Sequence, residues 1–160
     1  MIAWLLWFFV ALHLFLLDGW FAGLTDHVPD LSLSIALFCA LYAKPKALPG
    51  LLLCAALSRS VLVPGSAALH LLVLGVPVAV LLPLRGVFSR GSVLWPCLAS
   101  GFLAFVLPRL SGLLFRLTAE GGPALPMTGF EIFVAMCVIP VFTLALRSVP
   151  PLSLFQEEGP

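Results

Sequence analysis

An all-α, polytopic integral membrane protein of about six transmembrane helices is the fold class this sequence predicts. Three observations point to it. The 160 residues are 62% hydrophobic and only 9% charged, against roughly 25% charged in an ordinary soluble domain. A mean hydropathy of +1.19 leaves too little polar material to coat a water-facing surface. The apolar runs are separated by "DHVPD", "KPK", "VPG", "RGVFSRG" and "EGGPALP", rich in the Pro, Gly and charge that punctuate helices. A crossing of a ~30 Å hydrocarbon core takes about 20 apolar residues, so the chain has room for about five or six short spans. It is read as a single transmembrane domain over residues 1–160, with 148–160 as a short cytoplasmic tail.

The first span, "MIAWLLWFFVALHLFLL", lacks the basic leader and small-residue cleavage site of a secretory signal, and further apolar runs follow it. It is expected to be a retained helix. The others are predicted at Leu31–Ala43, Ala47–Val63, Ser66–Leu84, Ser92–Leu114 and Gly129–Leu146. The second is too short to cross alone without thinning the bilayer or recruiting part of "FAGLTDHVPD". Prolines 77, 83, 96, 108 and 140 fall within spans and predict kinked helices whose freed carbonyls need other partners. Trp4, Trp7, Trp20 and Trp95 suit the interfacial aromatic belt. Cys39, Cys54, Cys97 and Cys137 lie inside apolar runs with no metal-ligand spacing and read as small buried hydrophobes.

Basic residues stay on the cytoplasmic side. With six crossings and the N-terminus inside, Lys44, Lys46, Arg85, Arg90 and Arg147 are cytoplasmic, five of the eight Lys and Arg. Both termini are then cytoplasmic. Arg59, Arg109 and Arg116 fall towards the outer ends of their spans, and Asp18, Asp26, Asp30, Glu120 and Glu131 face outside.

Few residues could carry chemistry. The cations are scattered singly, which excludes nucleic acid as a partner. His13, His27 and His70 are far apart, and no HExxH, DxxD, GxSxG or nucleotide-binding loop occurs. No cofactor is implied and the chain is not expected to be an enzyme. The notable residue is Arg59, the one charged side chain between Leu48 and Leu84. Intramembrane ionisable groups are candidates for function, and His13, Asp18, Arg59 and His70 could share the outer half of the bundle. His13 and His70 would line a polar pocket or simply hydrogen-bond between helices. Arg59 is predicted to pack towards Asp18 as a structural tie holding spans one and three together. Small residues four apart, Ala36 with Ala40 and Ser100 with Ala104, are candidate faces for close helix contact, and a partner's helix is expected on one of them.

The run "VPDLSLSIALFCALYAKPKALPGLLLCAALSRSVLVPGSAALHLLVLG", Val28–Gly75, resembles the bacterial rod shape-determining MreD family. The likeness lies in a Pro-led apolar run rich in Leu, a break near a Pro, and an apolar span ending in a polar residue and a small-residue turn. Length and span count fit as well; the second half agrees by hydropathy alone. The family pattern has an acidic residue where this chain has Ser58 and Arg59, so a role tied to that acid does not carry over. The resemblance implies a non-catalytic scaffold subunit of the bacterial cytoplasmic membrane that binds the bitopic protein MreC and serves the peptidoglycan elongation machinery in setting cell shape. The family's fold is similar to the substrate-capture subunits of energy-coupling-factor transporters, which makes a small-molecule-binding transporter subunit the alternative.

Overall fold

A computed structural model describes residues 2–22, 30–86, 94–118 and 128–156. Asp26, His27, Arg90 and Glu120, part of the expected polar pattern, lie outside them. Six α-helices follow in order: α1 Ile2–Ala22, α2 Ser32–Leu41, α3 Leu48–Leu62, α4 Ala67–Leu81, α5 Leu94–Thr118 and α6 Gly129–Ser148. Short 3-10 turns occupy Leu82–Gly86 and Pro150–Phe155, and no strand occurs among the described residues. Four stretches are long and apolar enough to cross a membrane: Ile2–Phe21, Ala67–Arg85, Leu94–Thr118 and Gly129–Ser148. The chain is thus suited to a membrane-embedded life, while α2 and α3 are shorter apolar helices.

Local chemistry sets the helix starts. Pro49 stands in the first turn of α3, where its missing N–H deprives no carbonyl of a partner. The Ser66 hydroxyl accepts the Leu69 N–H at 3.3 Å to open α4. Thr128 and Glu131 form a reciprocal capping box at α6, the Glu131 carboxylate accepting the Thr128 N–H at 2.6 Å. Pro77, Pro108 and Pro140 lie inside continuous helices. Ser111 and Thr143 hydroxyls donate to the Pro108 and Ile139 carbonyls at 2.9 and 2.8 Å, close to two of these prolines. Pro83 falls in the 3-10 turn after α4, and Pro96 in the first turn of α5.

The short α2 is the axis of the bundle. All its side chains from Ser32 to Ala40 are buried, and it packs against each of the other five helices. Around it, α1 packs on α3, α3 on α4, α4 on α5 and α5 on α6, but α6 does not close back onto α1. The outer helices therefore make a ring around α2 in which α1 and α6 are linked through the Pro150–Phe155 turn, which packs on both. A helix of 10 residues is about 15 Å long. The length rule for spanning lipid does not govern it, because its sides face protein.

This enclosure also decides where the small residues go. Ala36, Ala40, Ser100 and Ala104 are all fully buried. Their faces are used between helices of this chain and are closed to a partner, contrary to the expectation that another protein's helix would meet them. Trp7 is likewise a core residue and not an interfacial anchor. It is fully buried, donates Nε1–H to the Leu51 carbonyl at 2.9 Å and packs 5.5 Å from the Phe38 ring. Trp20 is exposed, as a belt residue would be, and Trp4 stacks 4.6 Å from Phe155. Of the cysteines only Cys39 is fully enclosed, and Cys137 faces outward.

The two ends of the bundle differ in charge. At one end Arg85 donates to the Ala43 carbonyl at 2.8 Å, Arg147 lies 5.2 Å over the Tyr42 ring, and Lys44 and Lys46 occupy the α2–α3 turn. Residues 148–156 are no free tail. Leu152 is buried, the Lys44 N–H donates to the Phe155 carbonyl at 2.7 Å, and Gln156 donates to the Arg147 carbonyl at 2.8 Å. The start of α1 and Gln156 thus meet at the cationic end, and the carboxylates of Asp18 and Asp30 gather at the other.

Candidate functional site

The polar cluster grows out of the start of α2. The first N–H groups of a helix have no intrahelical acceptor and carry its partial positive charge, so carboxylates are favoured there. Asp18, near the end of α1, accepts the Leu31 N–H at 2.9 Å, and Asp30 accepts the Ser32 N–H at 2.8 Å. Arg59, in the last turn of α3, extends over this end. Its guanidinium lies 3.5 Å from the second Asp30 oxygen and donates to the Ser32 hydroxyl at 3.5 Å, with its Cζ 5.9 Å above the Phe15 ring. Both members of the pair are largely enclosed, at 13% and 23% exposure. A cation at a helix C-terminus also opposes the negative end of that dipole.

The direct ion pair is therefore made with Asp30 and not with the expected Asp18. The physical reason is that Asp18 is turned to the α2 backbone, where it caps Leu31, leaving Asp30 to meet the guanidinium; Asp18 remains within electrostatic reach of both. Helices α1 and α3 are joined here through the N-terminus of α2. A second link runs beside it: buried Ser58 donates to the Phe8 carbonyl of α1 at 3.2 Å and to the Cys54 carbonyl at 2.8 Å. Asp30, Ser32 and Ser58 are site residues that composition and spacing do not single out. The signal for the first two was "PDLS" ahead of an apolar run, a helix-start pattern.

His13 and His70 do not share a pocket, since α1 and α4 do not pack on each other. His70 is buried beneath the α3–α4 turn, with Nε2 3.3 Å from the Val63 carbonyl and its ring 5.9 Å from Phe115. Gly65 completes that turn at φ +127°, a conformation open to glycine, and a Cβ there would come within 3.0 Å of Phe115 and 3.1 Å of His70. His13 lies on the outward side of α1, its Nδ1 2.7 Å from the Phe9 carbonyl. Arg109 is folded onto its own helix, 3.7 Å over the Phe105 ring.

Chemically the cluster is a set of mutually satisfied caps and an ion pair. Among the described residues no three His, Cys, Asp or Glu side chains stand together as a metal site. Comparison with known proteins finds no family model, no curated protein and no solved structure that matches the chain.

Proposed function

We propose that the chain is a non-catalytic scaffold subunit of the bacterial cytoplasmic membrane, similar to MreD, which binds a bitopic partner such as MreC within the cell-wall elongation complex. In this reading all six helices traverse the membrane, α2 and α3 as short crossings shielded or flanked by the others, and the cationic end with both chain ends is cytoplasmic. The observation that carries it is how the polar groups are used. Asp18, Asp30, Ser32, Ser58 and Arg59 bond to one another or to backbone and hold helices together, while large apolar side chains such as Leu5, Phe9, Leu98, Phe105 and Phe133 face outward. Such a surface suits lipid and a partner's helix. The resemblance over Val28–Gly75 supplies the particular assembly.

Affinity purification in mild detergent followed by mass spectrometry tests this. A bitopic membrane protein should copurify in stoichiometric amount, and small molecules should not raise the melting temperature. Stabilisation of about 2.7 kcal/mol by a ligand at 100 times its Kd, without a copurifying protein, would replace the scaffold with a capture subunit.

A further inference from the structure

One charged side chain stands on the outward face of a span and bonds only to its own helix. Helix α5 is long and apolar enough to cross a membrane. Along it Phe102, Phe105, Arg109 and Leu113 are all exposed and lie three or four residues apart, which places them on one lengthwise stripe. Arg109 keeps its positive charge in any environment a protein offers. Helical side chains lean towards the helix N-terminus, and this one does so: Nη1 donates to the Phe105 carbonyl one turn back at 2.8 Å, and Cζ lies 3.7 Å over the Phe105 ring. Phe105 adjoins Val106, the midpoint of α5, and so stands about 17 Å from one end of the helix and about 20 Å from the other. A ~30 Å core extends only about 15 Å to either side of its middle. The guanidinium is thus held at mid-core depth and turned away from the nearer headgroups, the opposite of a side chain that snorkels. Arginines within spans almost always face the bundle interior or pair with an acid. Arg59 does both, through Asp30, whereas among the described residues no carboxylate pairs with Arg109: Asp18 and Asp30 cap the start of α2, and Glu131 caps the start of α6.

We infer that the outward stripe of α5 is the docking face for a transmembrane helix of another protein, one that carries an Asp or Glu near its middle and pairs it with Arg109. The charge selects the occupant. Hydrocarbon offers a guanidinium no counter-ion. A second copy meeting stripe to stripe about a two-fold axis along the membrane normal would set Arg109 against Arg109 and repel. A carboxylate on a partner's helix supplies both the opposite charge and paired acceptor oxygens that match the planar guanidinium. The inference rests on the scaffold reading and adds to it the face the partner meets and the group it brings.

The test uses the full chain in native membranes, with the photo-crosslinking residue p-benzoylphenylalanine at Phe102 or Leu113, and at Leu72 and Phe133 as outward controls on α4 and α6. The expected result is a protein adduct from positions 102 and 113, absent from 72 and 133, whose crosslinked peptide lies in an apolar segment of about 20 residues with a carboxylate near its middle. Arg109→Gln should lower the yield at both positions about tenfold or more without changing the melting temperature of the purified chain, because the guanidinium bonds only to its own helix. Arg109→Lys, which keeps the charge, should retain more of it, and converting the partner's acid to its amide should reproduce the loss. Lipid adducts alone, adducts to a second copy, a crosslinked segment with no acid, or a yield unchanged by Arg109→Gln would each overturn the docking face. If a bitopic protein still copurifies, the scaffold reading survives that result; if none does, both fall.

Discussion

Arg59→Leu is expected to lower the stability of the detergent-solubilised protein by about 3 kcal/mol, the low end of what removing one partner from a buried ion pair costs. The loss comes mainly from what remains. Asp30, 23% exposed and beside Asp18, would be left with no cation at hand. Asp30→Asn should cost less, because an amide oxygen still accepts the Ser32 N–H and the long Arg59 side chain can reach towards the interface. Combining Arg59→Leu with Asp30→Asn should be less damaging than the sum of the singles, with a coupling of about 1 to 2 kcal/mol. Asp18→Asn should couple to Arg59 more weakly, since its main contact is the Leu31 N–H. Denaturant unfolding of the four proteins provides the cycle. Strict additivity between positions 30 and 59 would mean that the pair does not hold the helices together.

Ala36→Leu is expected to prevent correct folding, or to destabilise the bundle by about 2 to 3 kcal/mol or more, because added methylenes in a filled core force neighbours off their preferred positions. Ala36 is fully buried in a helix that touches five others, so no single neighbour can yield without disturbing the rest. Ala40→Leu should behave alike. Ser100→Leu also deletes the hydroxyl that donates to the Cys97 carbonyl at 2.8 Å. Ala145→Leu, on the outward side of α6, should be nearly neutral. Size-exclusion profiles and melting temperatures distinguish the outcomes. A well-folded Ala36→Leu protein that fails only to bind a partner would return these alanines to an external interface.

These expectations show what a linear pattern conveys. Apolar runs between Pro- and Gly-rich breaks locate the helices to within a few residues: Ala47–Val63 is expected where α3 runs from Leu48 to Leu62, and Gly129–Leu146 where α6 ends at Ser148. The first helix runs further than expected, to Ala22, because "DGWFA" keeps enough apolar character to continue it. Hydropathy does not distinguish a helix facing lipid from one facing protein. For this reason hydropathy alone makes α2 a crossing that is too short and Trp7 an anchor, whereas α2 is an enclosed axis and Trp7 is core. The Arg59 site was legible as an anomaly, a charge in an apolar run, and the need for a nearby carboxylate followed from desolvation. Which carboxylate was not, since Asp18 and Asp30 both reach the same end of the bundle and only the packing of α2 against α1 assigns one to the backbone and the other to the guanidinium.

In the proposed arrangement α3, though only 15 residues long, crosses the membrane within the six-helix bundle, the cationic end inside. Membrane-impermeant thiol labelling of Lys46→Cys and Pro64→Cys, at exposed positions on either side of that helix in a chain whose four native cysteines are replaced by Ala, tests it most directly. Position 64 should label on intact cells and position 46 only after the cytoplasmic face is opened; labelling of both from the same side would contradict the crossing.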